Sequence, residues 1–223
     1  MANSSVSEKI AKLPKPGTVR EKLYYLKLSL FHPFEGFYDI RFRGKGSLVI
    51  AFIILAIYGM VECAAYQYTG FILNLNNIYK MNSVSIFLSH TLIIGLFCVS
   101  NWSVTTLLNG EGKYHEIFMV TMYALYPYCV LRVIALILSN FLLLDEMAIV
   151  SAIKGIGVAL LAFYLFIGLV VIHEYSFTQG VAVVFLTLFA ILVIVFVPML
   201  AFSLTADVWD FLRTVWREAR LKM

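Results

Sequence analysis

The chain has 223 residues, 61% of them hydrophobic and only 13% charged, with a mean hydropathy of +0.89. That composition excludes an ordinary soluble domain and points to membrane spans of about 20 residues each, joined by short loops. The net charge of +4 is small and its cations flank lipid-seeking segments, which argues against nucleic acid as a partner and for anionic lipid headgroups.

Residues 1–18, rich in Ser, Lys, Pro and Gly, hold too little apolar surface to fold alone, and are expected to form a flexible basic tail. They lack the apolar core and small-residue cleavage site of a secretory signal, so no removal is expected. Residues 19–46 read as an interfacial, juxtamembrane segment. In VREKLYYLKLSLF, Leu23, Leu26, Leu30 and Phe31 fall near one helical face, with Arg20, Lys22 and Lys27 placed for headgroups. The following HPFEGFYDIRFRGKG is expected to break the helix at Pro33 and Gly36. It would then form a belt of Phe34, Phe37, Tyr38, Arg41, Arg43 and Lys45 at the membrane entry.

A transmembrane helical domain is expected over residues 47–205, with apolar runs at 47–68, 84–107, 116–144, 149–172 and 181–205. Each is long enough to cross about 30 Å as a helix, so the fold class is all-α, a polytopic transmembrane bundle of about five spans. The third run carries Pro127 and Arg132. It reads as one span kinked at Pro127, with a re-entrant hairpin turning at that proline as the alternative. Gly155, Gly157 and Gly168 in the fourth run suit close helix approach. Residues 206–223 form a basic amphipathic helix, with Trp209, Leu212 and Trp216 beside Arg213, Arg217, Arg220 and Lys222.

Nine of the 17 Lys and Arg precede the first run, which orients the amino terminus to the cytoplasm. Five spans then place the basic carboxyl tail outside, against the same rule, whereas the hairpin alternative keeps it inside. The side of the carboxyl terminus therefore stays open.

Ionisable residues within apolar runs are costly and are by default functional hypotheses. Glu62, His90 and Arg132 fall at depths that allow an intramembrane polar cluster. Such a cluster would serve either as a buried ion pair fixing helix register or as a protonation-linked pocket. Lys154 is close enough to a helix end to snorkel. Asn101, Ser103, Thr105 and Thr106 suit hydrogen bonds across helices. Cys63, Cys98 and Cys129 lie in apolar runs without metal-ligand spacing and read as packing thiols. Glu111, His115 and Glu116 make a poor metal site, and Glu116 is explained by the helix dipole. No nucleotide-binding, nucleophile-elbow or metalloprotease motif occurs, so neither a catalytic residue nor a cofactor is expected.

The blocks NWSVTTLLNGEG (residues 101–112) and YALYPY (residues 123–128), preceded by FHPFEGFYDI, carry a resemblance over about residues 30–205. On these blocks the chain resembles the Yip family of Ypt/Rab-interacting integral membrane proteins, and most its bacterial branch. The resemblance implies a cytoplasmic amino-terminal region followed by a compact bundle of about five helices. In the eukaryotic branch it implies secretory membrane traffic, with Rab-type GTPases and related Yip proteins as partners. The chain lacks the Asp-Leu-Tyr-Gly-Pro motif of that branch, so Rab-type GTPase binding does not carry over on motif. Some bacterial relatives imply accessory roles beside other membrane complexes, such as sugar-importing transporters.

The reading that follows is a non-enzymatic protein of the bacterial cell membrane that binds another integral membrane protein, such as a transporter permease. Its partner-contact candidates are Phe34, Phe37, Tyr38, Asn109, Gly110, Glu111 and Gly112. The competing readings are a small transporter or channel built on Glu62, His90 and Arg132, and a lipid-shaping or trafficking factor acting through its amphipathic ends.

Overall fold

The computed structural model describes residues 19–74, 76, 77, 79 and 81–221. The tail at 1–18 and Lys222 lie outside them. Among the described residues there are helices and no strands: α1 (Val19–Phe31), α2 (Pro33–Phe42), α3 (Leu48–Tyr68), α4 (Ser83–Leu107), α5 (Tyr114–Leu138), α6 (Met147–His173) and α7 (Phe177–Leu221). Five of them, α3 to α7, are long and apolar enough to cross a membrane.

The spans alternate in direction. One end of the bundle, here called proximal, gathers α1, α2 and the loops 108–113 and 174–176. The distal end gathers the described residues of the loop 69–82 and the loop 139–146. α5 is the central helix, with half of its most apolar window buried. It packs against α3, α4 and α6, whereas α7 packs mainly on α4. The core around α5 contains Ile117, Val120, Met122, Tyr123, Cys129 and, from other helices, Ile54, Cys98 and Ile172.

α5 runs unbroken through Pro127, so the third apolar run spans and does not fold back as a hairpin. Pro127 has no N–H for the Tyr123 carbonyl, but the ring is buried among neighbouring helices that hold the helix together. Residues 139–144, included in the third run on hydropathy, instead form the distal turn.

The juxtamembrane segment differs from its sequence expectation. Pro33 starts α2 at a position where its missing N–H costs nothing, and the helix continues through Gly36. Gly36 is the crossing point of α1 and α2: a Cβ there would lie 2.3 Å from Ser29 Cα. Phe37 is consequently turned inward and fully buried against Gly168, while Phe34 and Tyr38 stay exposed. In α1 the buried positions are Glu21, Tyr25, Leu26 and Ser29, and Leu23 and Phe31 face outward. Tyr164 of α6 donates its hydroxyl to the Leu30 carbonyl and pins α1 to the bundle.

The glycines of α6 are not equivalent. A Cβ at Gly168 would meet Val120 Cγ1 at 2.2 Å, one at Gly157 would make ordinary contact with Tyr128, and one at Gly155 would meet nothing. Close approach is therefore required at Gly168 alone of the three. At the distal end, a Cβ on Gly70 would sit 1.9 Å from the Ser139 carbonyl oxygen, and the Gly70 N–H donates to Ser139 Oγ at 3.0 Å.

α7 has 45 residues, about 68 Å at 1.5 Å per residue, roughly twice the hydrocarbon thickness. Ser176 and Gln179 start it with a reciprocal cap: Gln179 Oε1 accepts from the Ser176 N–H, and Ser176 Oγ from the Gln179 N–H. Its buried positions are Gly180, Val183 and Thr187. Beyond Ile194 every described side chain is exposed, and the helix projects past the distal end. The fifth span and the basic amphipathic segment are thus one helix. It carries Arg213 over Trp209 and Arg220 over Trp216.

Candidate functional site

Polar side chains gather at both ends of the bundle. At the proximal end the chain leaves α4 through a left-handed residue, Asn109 (φ 55°), and the Gly110 N–H returns to the Thr105 carbonyl at 2.7 Å. This is the six-to-one bond of a Schellman turn, with Asn in the position where an L-residue tolerates positive φ best after glycine. α6 ends in the same way, with Glu174 left-handed (φ 56°) and the Tyr175 N–H bonded to the Val170 carbonyl at 3.1 Å.

The two turns meet. The Gly112 N–H donates to His173 Nδ1 at 3.2 Å, which makes Nδ1 an acceptor and leaves the proton on Nε2. The His173 ring stacks on Tyr175 with centroids 5.3 Å apart. A Cβ at Gly110 would come within 2.4 Å of the Tyr175 hydroxyl, and one at Gly112 within 2.6 Å of His173 Cε1. The glycines of Asn-Gly-Glu-Gly are therefore demanded by two rings packed on the turn.

Arg41 of α2 closes the assembly. Its Nη1 donates to the Glu111 carbonyl at 2.8 Å and to Glu116 Oε2 at 2.6 Å, and its Nη2 reaches Glu111 Oε2 at 3.3 Å. Glu116, at the third position of α5, also accepts from the Lys113 backbone N–H at 2.8 Å. The side chains of Arg41 and Glu116 are 12% and 10% exposed, so this charge-assisted pair is largely desolvated, whereas Glu111 is 62% exposed. Nearby, Lys45 bonds Glu21 of α1 at 2.6 Å, and that bond raises the Lys45 pKa. Burial raises the Asp39 carboxyl, opposed by Arg43 at 3.2 Å, and burial likewise pushes up the Tyr175 hydroxyl.

Of the contact candidates, Phe34, Tyr38, Asn109 and Glu111 are exposed and Gly110 and Gly112 partly so. Phe37 belongs to the core, because the unbroken α2 turns it to the opposite face. An open groove of about 530 Å³ is lined by Phe34, Glu35, Tyr38, Asp39 and Arg43. Arg41, His173 and Tyr175 were not legible as site residues, since they lie some 60 to 70 residues from the turn that they hold. The one usable signal was the pair of glycines flanking a carboxylate.

In the distal half, Glu62 of α3 pairs with Arg132 of α5 (Oε2 to Nη2, 3.1 Å), and Glu62 Oε1 accepts from the Tyr128 hydroxyl at 3.0 Å. His90 does not join them. Its Nδ1 bonds the Ile86 carbonyl one turn back at 2.8 Å, and its ring stands edge-on to Tyr58, which in turn lies 6.1 Å from the Tyr128 ring. The expected triad is thus an ion pair with a tyrosine, and a histidine at second remove. Asn101 does bond across helices, to Thr187 of α7 at 3.1 Å. Ser103, Thr105 and Thr106 instead bond carbonyls of their own helix. Among the described residues no three His, Cys, Asp or Glu side chains come together as a metal site.

The family model of the Yip1 domain matches residues 27–199, which takes in the end of α1, α2 to α6 and the spanning part of α7. No curated protein and no solved structure gives a significant match.

Proposed function

Since the chain belongs to the Yip1 domain family, of multi-pass membrane proteins, we propose that it is a non-enzymatic accessory or scaffold for another integral membrane protein, such as a transporter permease. The observation that carries this reading is the proximal assembly. Arg41 fastens α2 to the Asn109–Gly112 turn, and that connection sets exposed Phe34, Tyr38 and Glu111 around one rigid face with the groove beside it. Exposed aromatics on a preorganised frame suit partner binding, because little ordering entropy remains to be lost.

In this proposal the face is cytoplasmic, in a bacterial cell membrane, on the strength of the cations ahead of the first span. The basic segments at both ends rest on anionic headgroups. Rab-type GTPases are left out, because the motif that accompanies them in the eukaryotic branch is missing. Lipid shaping has a specific observation in its favour, the exposed Trp and Arg pairs along the projecting end of α7. It remains the second reading, since that segment lies outside the matched family region.

Site-specific photo-crosslinking in intact membranes tests the proposal, with the reactive group placed at Phe34, Tyr38 or Glu111 and, as a lipid-facing control, at Leu92. A discrete adduct with one membrane protein from the first three positions alone is expected. Equal or absent adducts at all four positions would overturn it.

A further inference from the structure

Where the chain turns from α2 into its first span it leaves a polar cavity. The space, about 430 Å³, lies between α1, the turn at 43–47 and the start of α5. Its charged walls are Lys22, Arg41, His115 and Glu116, and Ser47, Leu48 and Val49 bring in the amino end of α3. Two glycines complete the turn: Gly44 is left-handed (φ 60°), and a Cβ on Gly46 would lie 2.9 Å from Ile40 Cγ2.

Three kinds of donor at this cavity are unused. The first amides of α3 have no acceptor within the helix, because its first bond runs from the Ala51 N–H to the Ser47 carbonyl, and the Ser47 side chain caps none of them. Ser47 is only 5% exposed, and its N–H donates to the Tyr123 hydroxyl at 3.3 Å. Its Oγ has no hydrogen-bond partner and yet is not sealed off, since the cavity that Ser47 lines reaches it. Lys22 makes no ion pair or hydrogen bond among the described residues. The other charges are matched: Glu116 Oε2 accepts from Arg41 and the Lys113 N–H, its Oε1 lies 4.0 Å from His115 Nε2, and both Nη atoms of Arg41 are engaged by Glu111 and Glu116. Lys22 and Arg41 against Glu116 leave the walls one positive charge, before any on His115.

Position decides the source of the ligand. Ser47 precedes the first span, and Leu48, Val49 and Phe52 are exposed along the opening turns of α3, a surface that acyl chains would cover. Backbone amides at a helix start, a hydroxyl and an ammonium are a donor set that phosphate satisfies well. We propose that this cavity binds one phosphate group, supplied by the headgroup of an anionic phospholipid, with Lys22 giving the charge and Ser47 Oγ and the first amides of α3 the hydrogen bonds. Arg41, held by its carboxylates, serves as a wall. The site does not depend on a protein partner at Phe34, Tyr38 and Glu111. Diffuse attraction of headgroups to α1 is the competing account, and it makes no distinction between Lys22 and Lys27, which lies outside the cavity over the Phe31 ring.

Native mass spectrometry of the full-length protein in mild detergent, titrated with phosphatidylglycerol, phosphatidylcholine or inorganic phosphate, separates these accounts. The wild type is expected to hold phosphatidylglycerol about fivefold more tightly than phosphatidylcholine, the factor that one unmatched basic residue supplies. Lys22→Gln should remove most of that preference while helicity and monodispersity are kept, and Lys27→Gln, the same loss of charge on the same helix, should leave it. Ser47→Ala, which keeps the backbone bond to Tyr123, should weaken retention of phosphatidylglycerol about threefold through the lost hydroxyl donor. Displacement of phosphatidylglycerol by millimolar phosphate would assign the site to phosphate from either source, and its persistence would assign it to the lipid. Equal retention of the two lipids by the wild type, equal losses in the Lys22 and Lys27 variants, or unaltered retention in Ser47→Ala would overturn the proposal.

Discussion

The two ends of the bundle use the same pair of side chains differently. Proximally, Arg41 spends its donors on Glu116, Glu111 and a carbonyl, and Glu116 spends its acceptors on Arg41 and the Lys113 N–H. Distally, Glu62 is filled by Arg132 and Tyr128, but Arg132 Nε is left over. An unpartnered polar group within lipid is costly. The Arg41–Glu116 pair acts as a fastener, and the buried polar atoms left without a partner in that assembly are on the rings beside it, His173 Nε2 and the Tyr175 hydroxyl. The difference lies in the arginines: Arg41 is held by three acceptors on two residues, Arg132 by one carboxylate oxygen.

The contrast breaks most visibly at Arg41. Arg41→Met leaves Glu116 desolvated and uncompensated, and should destabilise the protein by about 3 kcal/mol, read by thermal or denaturant unfolding in detergent. A loss below about 1 kcal/mol would mean that Arg41 is an ordinary surface cation. Gly112→Ala comes next. Its Cβ meets the buried His173 ring, and overpacking of that kind costs about 2 kcal/mol. Gly155→Ala, which meets nothing, is the control and should change stability by no more than a few tenths of a kcal/mol.

A smaller effect is expected at the seam between α4 and α7. Asn101→Val removes the bond to Thr187 and should cost about 0.6 kcal/mol, the average of interhelical hydrogen bonds in membranes, in the same unfolding assay. The smallest is the alkaline response of the α1 tether. Because the hydrogen bond to Glu21 raises the Lys45 pKa above its ordinary value of 10.5, the stabilisation is complete below that value and is lost as pH rises through the folded one. Glu21→Gln should flatten that alkaline decline of the melting temperature, and an unchanged slope would remove Lys45 from the account.

The five spans were legible in the sequence because a bilayer imposes one demand on every crossing segment, about 20 apolar residues in a helix. Pro127 could not be resolved from sequence. Whether a proline interrupts a span depends on neighbours that shield the freed carbonyl, and those come from other parts of the chain. The belt at 34–45 was read as a unit because its residues are adjacent. In a continuous α2, adjacency instead sends Phe37 into the core between exposed Phe34 and Tyr38. Glu62 and Arg132 could be paired by counting depth along antiparallel runs. His90 could not be excluded that way, since depth says nothing about which face of α4 it occupies. The proximal fastener was invisible for a simpler reason: Arg41 looked like one of several headgroup cations, and nothing local to it marks Glu116 as its partner.

A double-mutant cycle on Arg41→Met and Glu116→Gln, measured by reversible unfolding of the full-length protein, addresses the fastener most directly. If the two side chains act as one desolvated unit, the pair should be coupled by about 2 kcal/mol, with the double variant more stable than the sum of the single losses implies. Strict additivity would contradict it, and would leave α2 held by apolar contact and by the bonds of Arg41 to Glu111.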